Sequence, residues 1–179
     1  MNNLKKLVMI FTIGLMAITA NAQSEKDNEI IKDAEGAKET LLQGNPKLKD
    51  FFDKSAGYVI FPNVGKGGFI VGGASGNGVL YKKGGNKLGM ASLKKVNIGL
   101  QAGGEAIIEV IFFESTTELE NFQKGKFQFD AQASATALKS GESFNAKYAN
   151  GVAAFTQTKG GLMADASVGG QKFKFKAFK

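Results

Sequence analysis

The chain has 179 residues, 43% of them hydrophobic, with a formal net charge of +7 and no Cys, His or Trp. Without Cys or His, the sequence excludes disulfides, Ser-His-Asp and Cys-His nucleophile systems, and thiolate or imidazole metal sites. The length suits one domain with a removable end, and the positive excess, carried by Lys alone, favours anionic surfaces such as acidic phospholipid, lipopolysaccharide or nucleic acid.

The chain opens on a basic segment ending in Lys5-Lys6, followed by an apolar stretch from Leu7 to Ile18 and a small-x-small site at Ala20-Asn21-Ala22. This order predicts a signal peptide over 1–22, cleaved after Ala22. The apolar stretch is short for a bilayer span and Gln23 to Asp27 turn polar at once, so a retained anchor is disfavoured. Losing Lys5 and Lys6 takes the net charge from +7 to +5. The expected location is therefore outside the cytoplasm, periplasmic or extracellular, with peripheral membrane contact open. From Ser24 to Gln43, Ile30, Ile31, Ala34, Ala37, Leu41 and Leu42 fall at helical spacing. The polar face carries Glu25, Asp27, Glu29, Asp33, Glu35 and Glu39, a poor match to an anionic membrane, so packing against a sheet is expected. Gly44 ends this helix, and Asn45-Pro46 starts a second as N-cap and first position, with Leu48, Phe51 and Phe52 inward.

A glycine-rich block follows, Ala56 to Tyr81, in which the apolar runs Tyr58–Phe61 and Phe69–Val71 read as strands. Glycine sacrifices packing inside a strand, so this density implies close backbone approach, bulges or positive φ. Asn77-Gly78 reads as a hairpin turn. Lys82 to Lys87 is a basic loop, and Lys94 to Leu100 is strand-like. From Glu105 to Phe113 one face is apolar (Ala106, Ile108, Val110, Phe112) and the other mixed, as in a central strand. Ser115-Thr116-Thr117-Glu118 is a capping box opening a short helix through Leu119 and Phe122 to Gly125. Phe127 to Ala135 alternates as a half-buried strand, Tyr148 to Thr156 returns, and Lys159-Gly160-Gly161 echoes Lys66-Gly67-Gly68. Lys172-Phe173-Lys174-Phe175-Lys176 predicts a last strand with lysines on one face and aromatics on the other.

Little chemistry is available for catalysis. Glu105 and Glu109 share one face of a strand, and Glu118 and Glu120 share a helix, but both pairs read as solvated or edge carboxylates. Neither a Walker loop nor a Gly-x-Gly-x-x-Gly turn occurs, so nucleotide binding is unsupported. Backbone amides beside Lys66 and Lys159 offer small anion nests, although turns and tight strand approach explain the same glycines. Phe173, Phe175 and Phe178 interleave with Lys as a base-stacking platform does, but the signal peptide argues against nucleic acid. The expectation is a non-enzymatic protein without cofactor.

Three blocks in order carry a resemblance. Ile60-Phe61-Pro62, Lys66-Gly67-Gly68-Phe69, Gly72-Gly73 and Gly76-Asn77-Gly78-Val79-Leu80 form the first; Ile98 to Gly103 the second; Thr158 to Leu162 followed by Gly169-Gly170 the third. Together they resemble the SYLF family of lipid-binding domains. Where many members carry Trp-Ser-x-Pro, this chain has Met90-Ala91-Ser92-Leu93. The resemblance implies one SYLF-like domain over 23–179, helical over 23–55 and sheet-rich over 56–179. The fold class is α+β, a glycine-rich antiparallel sheet or partial barrel with N-terminal helices packed against it. The resemblance also implies binding of anionic phospholipid or a membrane surface. Candidate contacts are Lys66, Gly67, Gly68, Lys82, Lys83, Lys159, Gly160, Lys172, Lys174 and Lys176. Actin, a partner of some eukaryotic members, is not expected here. The alternative is an envelope protein that binds another protein and shows no lipid preference.

Overall fold

The structure is a computed structural model that describes residues 25–65, 73–96, 107–126, 147–158, 161–164 and 171–178. The expected signal peptide and the strands at 69–71 and 127–135 lie outside them. The architecture is α+β. Helices α1 (25–44), α2 (Leu48–Lys54) and α3 (Thr116–Gln123) flank seven strands: β1 (Gly57–Val64), β2 (Gly73–Lys82), β3 (Lys87–Val96), β4 (Ile107–Phe113), β5 (Val152–Thr158), β6 (Gly161–Ala164) and β7 (Gln171–Ala177). The strands form one open antiparallel sheet in the order β6-β5-β4-β1-β2-β3-β7. The sheet has edges at β6 and β7, so among the described residues it does not close into a barrel.

Alternation along the strands sends side chains to two opposite cores. On the first face Val59, Phe61, Leu80, Leu93, Ile111 and Phe113 meet Leu119 and Phe122 of α3. The cap predicted for α3 is present: the Ser115 hydroxyl accepts from Thr117 N at 3.2 Å and donates to the Glu118 carboxylate, while Gly125 takes φ +67° past the helix end. On the second face Tyr58, Ile60, Val79, Tyr81, Val110 and Phe112 are covered by Ala34, Ala37 and Leu41 of α1 and by Leu48, Phe51 and Phe52 of α2. The Phe52 ring stands edge-on to Tyr58 and Phe112, each at 4.8 Å between centroids. The apolar stripe of α1 is therefore spent on the sheet.

Several local expectations change. Asn45 is not the expected helix cap: its Oδ1 accepts from Lys47 N at 3.0 Å within a turn through Pro46 and Lys47, and α2 begins at Leu48 with Lys47 as an N-cap that makes no side-chain bond. Asn77-Gly78 is no hairpin turn. Both residues lie inside β2, opposite Ser92 and Ala91. Gly78 is there for close approach: a Cβ would stand 2.1 Å from the Ile60 carbonyl oxygen and 2.7 Å from the Phe61 ring. The chain reverses instead at Lys83–Asn86, where Gly84 and Gly85 both take φ +86°. Consequently β3 starts at Lys87, well before Lys94. β5 likewise begins at Val152, after a tight turn in which Asn150 and Gly151 take φ +51° and +75°. Pro62 falls where the β1–β4 register shifts between Phe61 and Val64, a position that tolerates its missing N–H.

Candidate functional site

The alternation of β7 predicted from sequence holds, and the edge position gives it meaning. Phe173 and Phe175 are half-buried against the first core, with the Phe173 ring 5.4 Å from Phe122 and 6.0 Å from Phe61. This anchorage points Lys172, Lys174 and Lys176 to the opposite face, where all three are exposed. Strand β3 extends the basic surface. Lys94 lies directly opposite Lys172, Ser92 opposite Lys174 and Met90 opposite Lys176. Like charges facing one another across strands cost stability, and neither β3 nor β7 contains a carboxylate to offset them. The row is therefore a surface whose repulsion a bound anion would relieve.

Helix α1 decides which part of this face stays open. Lys38 Nζ donates to the Tyr58 hydroxyl at 3.2 Å and lies 4.8 Å from the centre of the Phe52 ring. Glu35 pairs with Lys87 at 2.7 Å, and Asn63 donates to Asp33 at 3.3 Å. Beneath the helix, Tyr81 stacks on Tyr58 at 5.0 Å. Burial, reinforced by Glu35 and Tyr58, raises the Tyr81 phenol above its ordinary pKa. Held in this way, α1 covers the sheet centre, and its first turn overhangs β3 and β7. A groove of about 370 Å³ remains there, lined by Lys26, Ile30, Asn77, Ser92, Lys174 and Lys176 among others. A second depression of about 450 Å³ lies by α2 and is lined by Asp50, Lys54, Glu114, Lys147, Phe51 and Tyr148. Its charges balance, so it shows no preference for an anion.

Not all the candidate lysines converge. Lys172, Lys174 and Lys176 form one cluster, whereas Lys82 and Lys83 are exposed at the β2–β3 turn, away from the groove lining. Lys66, Gly67, Gly68, Lys159 and Gly160 lie outside the described residues. Lys94 and Lys26 were not among the sequence candidates. No local signal marks them, because their place depends on β3 pairing with β7 and on α1 docking. Glu109 corrects another expectation: on central β4 it is 0% exposed, opposite Phe61 and Thr156, and is neither solvated nor at an edge. Glu105 lies outside the described residues.

Among the described residues, no helix is long and apolar enough to cross a membrane. The family model Ysc84, described as Las17-binding protein actin regulator, matches residues 94–177, from the second half of β3 to the end of β7. Beta cell expansion factor A of Aeromonas veronii is 29% identical over 136 residues, which cover 74% of this chain and 51% of that protein. The chain thus spans about half the length of the curated relative it matches.

Proposed function

We propose that this chain, which matches the Ysc84 family model over residues 94–177, is a non-enzymatic, peripheral binder of anionic phospholipid, exported to the bacterial cell envelope. The observation that carries the reading is the lysine row of Lys94, Lys172, Lys174 and Lys176 on the part of the sheet that α1 leaves uncovered. Each lysine near an anionic bilayer contributes about 1 kcal/mol at ordinary ionic strength, so several on one face suffice for reversible attachment. Lysine suits this role, since its compact charge needs no fixed ligand geometry.

Co-sedimentation tests the reading. The purified protein should pellet with phosphatidylcholine vesicles that contain phosphatidylglycerol, stay in solution with phosphatidylcholine alone, and be released by high salt. The double substitution Lys172→Glu/Lys174→Glu should lower partitioning by about tenfold or more. If pelleting proves indifferent to lipid charge, the basic face is not the contact. The family description, which names Las17 binding and actin regulation, favours a second reading as a protein-interaction module. That reading gains if the protein ignores every vesicle and co-purifies with a defined envelope protein.

A further inference from the structure

We infer that the groove between the first turn of α1 and strands β2, β3 and β7 is a subsite for a single phosphate group, which shares Lys174 and Lys176 with the lysine row and adds Lys26, Ser92 and Asn77 to them. The identification of that phosphate as a lipid headgroup rests on the membrane reading above; the phosphate chemistry does not. The groove is built from two sides. Lys26 reaches it from the helix, and Lys174 and Lys176 from the sheet edge. Ser92 lies between its register partners Asn77 and Lys174, so two neutral polar groups and an ammonium form one cross-strand rung. Groups in such a rung are close neighbours on one face. Three ammonium groups with a hydroxyl and an amide match the several oxygens of a phosphate, and charge-assisted bonds of this kind are about twice as strong as neutral ones.

The rest of the groove points to what the phosphate is attached to. Ile30 and Met90, both half-buried, supply an apolar wall beside the polar rung. A phosphomonoester carries a charge of about −1.5 to −2 near neutral pH and satisfies the lysines better than a phosphodiester does. A glycerol backbone with the first acyl carbons suits the Ile30–Met90 wall. Asp27 lines the same groove and offsets part of its charge, which leaves three lysines against one carboxylate. The volume of about 370 Å³ lies within the range of small-molecule sites. With no Arg to impose a bidentate geometry, selection rests on charge and on the apolar wall rather than on orientation.

The test is calorimetric titration of the full chain with dihexanoyl phosphatidic acid below its micelle concentration, alongside inorganic phosphate and dihexanoyl phosphatidylcholine. One equivalent of phosphatidic acid should bind and phosphatidylcholine should not. Ser92→Leu, which fills the groove without changing charge, should weaken this binding by about tenfold or more, yet keep vesicle pelleting within about twofold. Lys26→Gln, at an exposed position that tolerates change, should weaken it several-fold and guards against misfolding of the Ser92 variant. Lys172→Glu, outside the groove lining, should do the reverse. Inorganic phosphate binding as tightly as the lipid, with the same sensitivity to both variants, would keep the site and assign it to free phosphate. No binding of either ligand, or binding that both groove variants leave intact, overturns the subsite while vesicle pelleting still stands. Failure of the unsubstituted chain to pellet with acidic vesicles, with the titration intact, overturns the membrane reading alone.

Discussion

Strands β4 and β7 are both antiparallel, yet they use the same geometry for opposite ends. Between β1 and β5, β4 has a core on each face: Val110 and Phe112 face the N-terminal helices, while Ile111 and Phe113 face α3 and its neighbours. Among the described residues, β7 lies at the sheet edge with a core on one face only, and its other face is lysine. A strand with partners on both sides and layers on both faces is committed to packing. A strand with one partner and one open face keeps half its side chains for something else. The contrast places stability in the centre of the sheet and binding at its edge, where an exposed strand also needs charge to discourage pairing with other chains.

The largest test of this contrast is a pair of truncations. Phe112→Ala should lower stability by about 3–5 kcal/mol in chemical denaturation, and Phe173→Ala, half-buried at the edge, by about half as much or less. Equal losses would break the contrast, since β7 would then be as integral as β4. Gly78→Ala comes next, at about 1–3 kcal/mol, because the added methyl meets the backbone of Ile60. A neutral result would mean that β1 and β2 can separate without cost.

A smaller effect separates the buried phenols from the exposed lysines. Burial, and to a lesser degree Glu114, raises the Tyr148 hydroxyl from 10.0 to about 12, and Tyr81 shifts in the same direction. The unfolded chain loses these protons first, so the stabilisation is complete below pH 10 and is lost as pH rises through the folded value near 12. Denaturation midpoints should therefore fall across that window, and Tyr148→Phe should make the fall shallower. If the slope is the same in the variant, the phenol is hydrated in the folded state and the second core is looser beside β5 than at its centre.

The elements legible in the sequence were those whose signals are local. The stripe from Ile30 to Leu42, the cap at Ser115 and the Lys-Phe alternation of β7 each report on the chain's own period, and each formed where expected. Asn77-Gly78 misled because glycine serves two purposes with one letter. A turn needs its positive φ, whereas β2 needs its missing Cβ against Ile60. The fully buried Glu109 was misread for a related reason: the residue type suggests solvent, and only the placement of β4 between two strands removes it.

Legible in the sequence were the apolar stripe of α1, the cap of α3, the two-sided apolar character of β4, the basic face of β7 and the absence of thiol or imidazole chemistry. These follow from side-chain identity and spacing along a few residues, for which the backbone period is sufficient. That β7 pairs with β3, that Lys94 therefore faces Lys172, and that Lys26 overhangs Ser92 and Lys174 from α1 is visible in the assembled fold alone. Those neighbours are far apart in the chain. What brings them together is the burial of Phe173 and Phe175 on one face of the sheet and of Ala34, Ala37 and Leu41 on the other. The driving force for that burial is non-directional, and it acts on the assembled surfaces rather than on any single stretch.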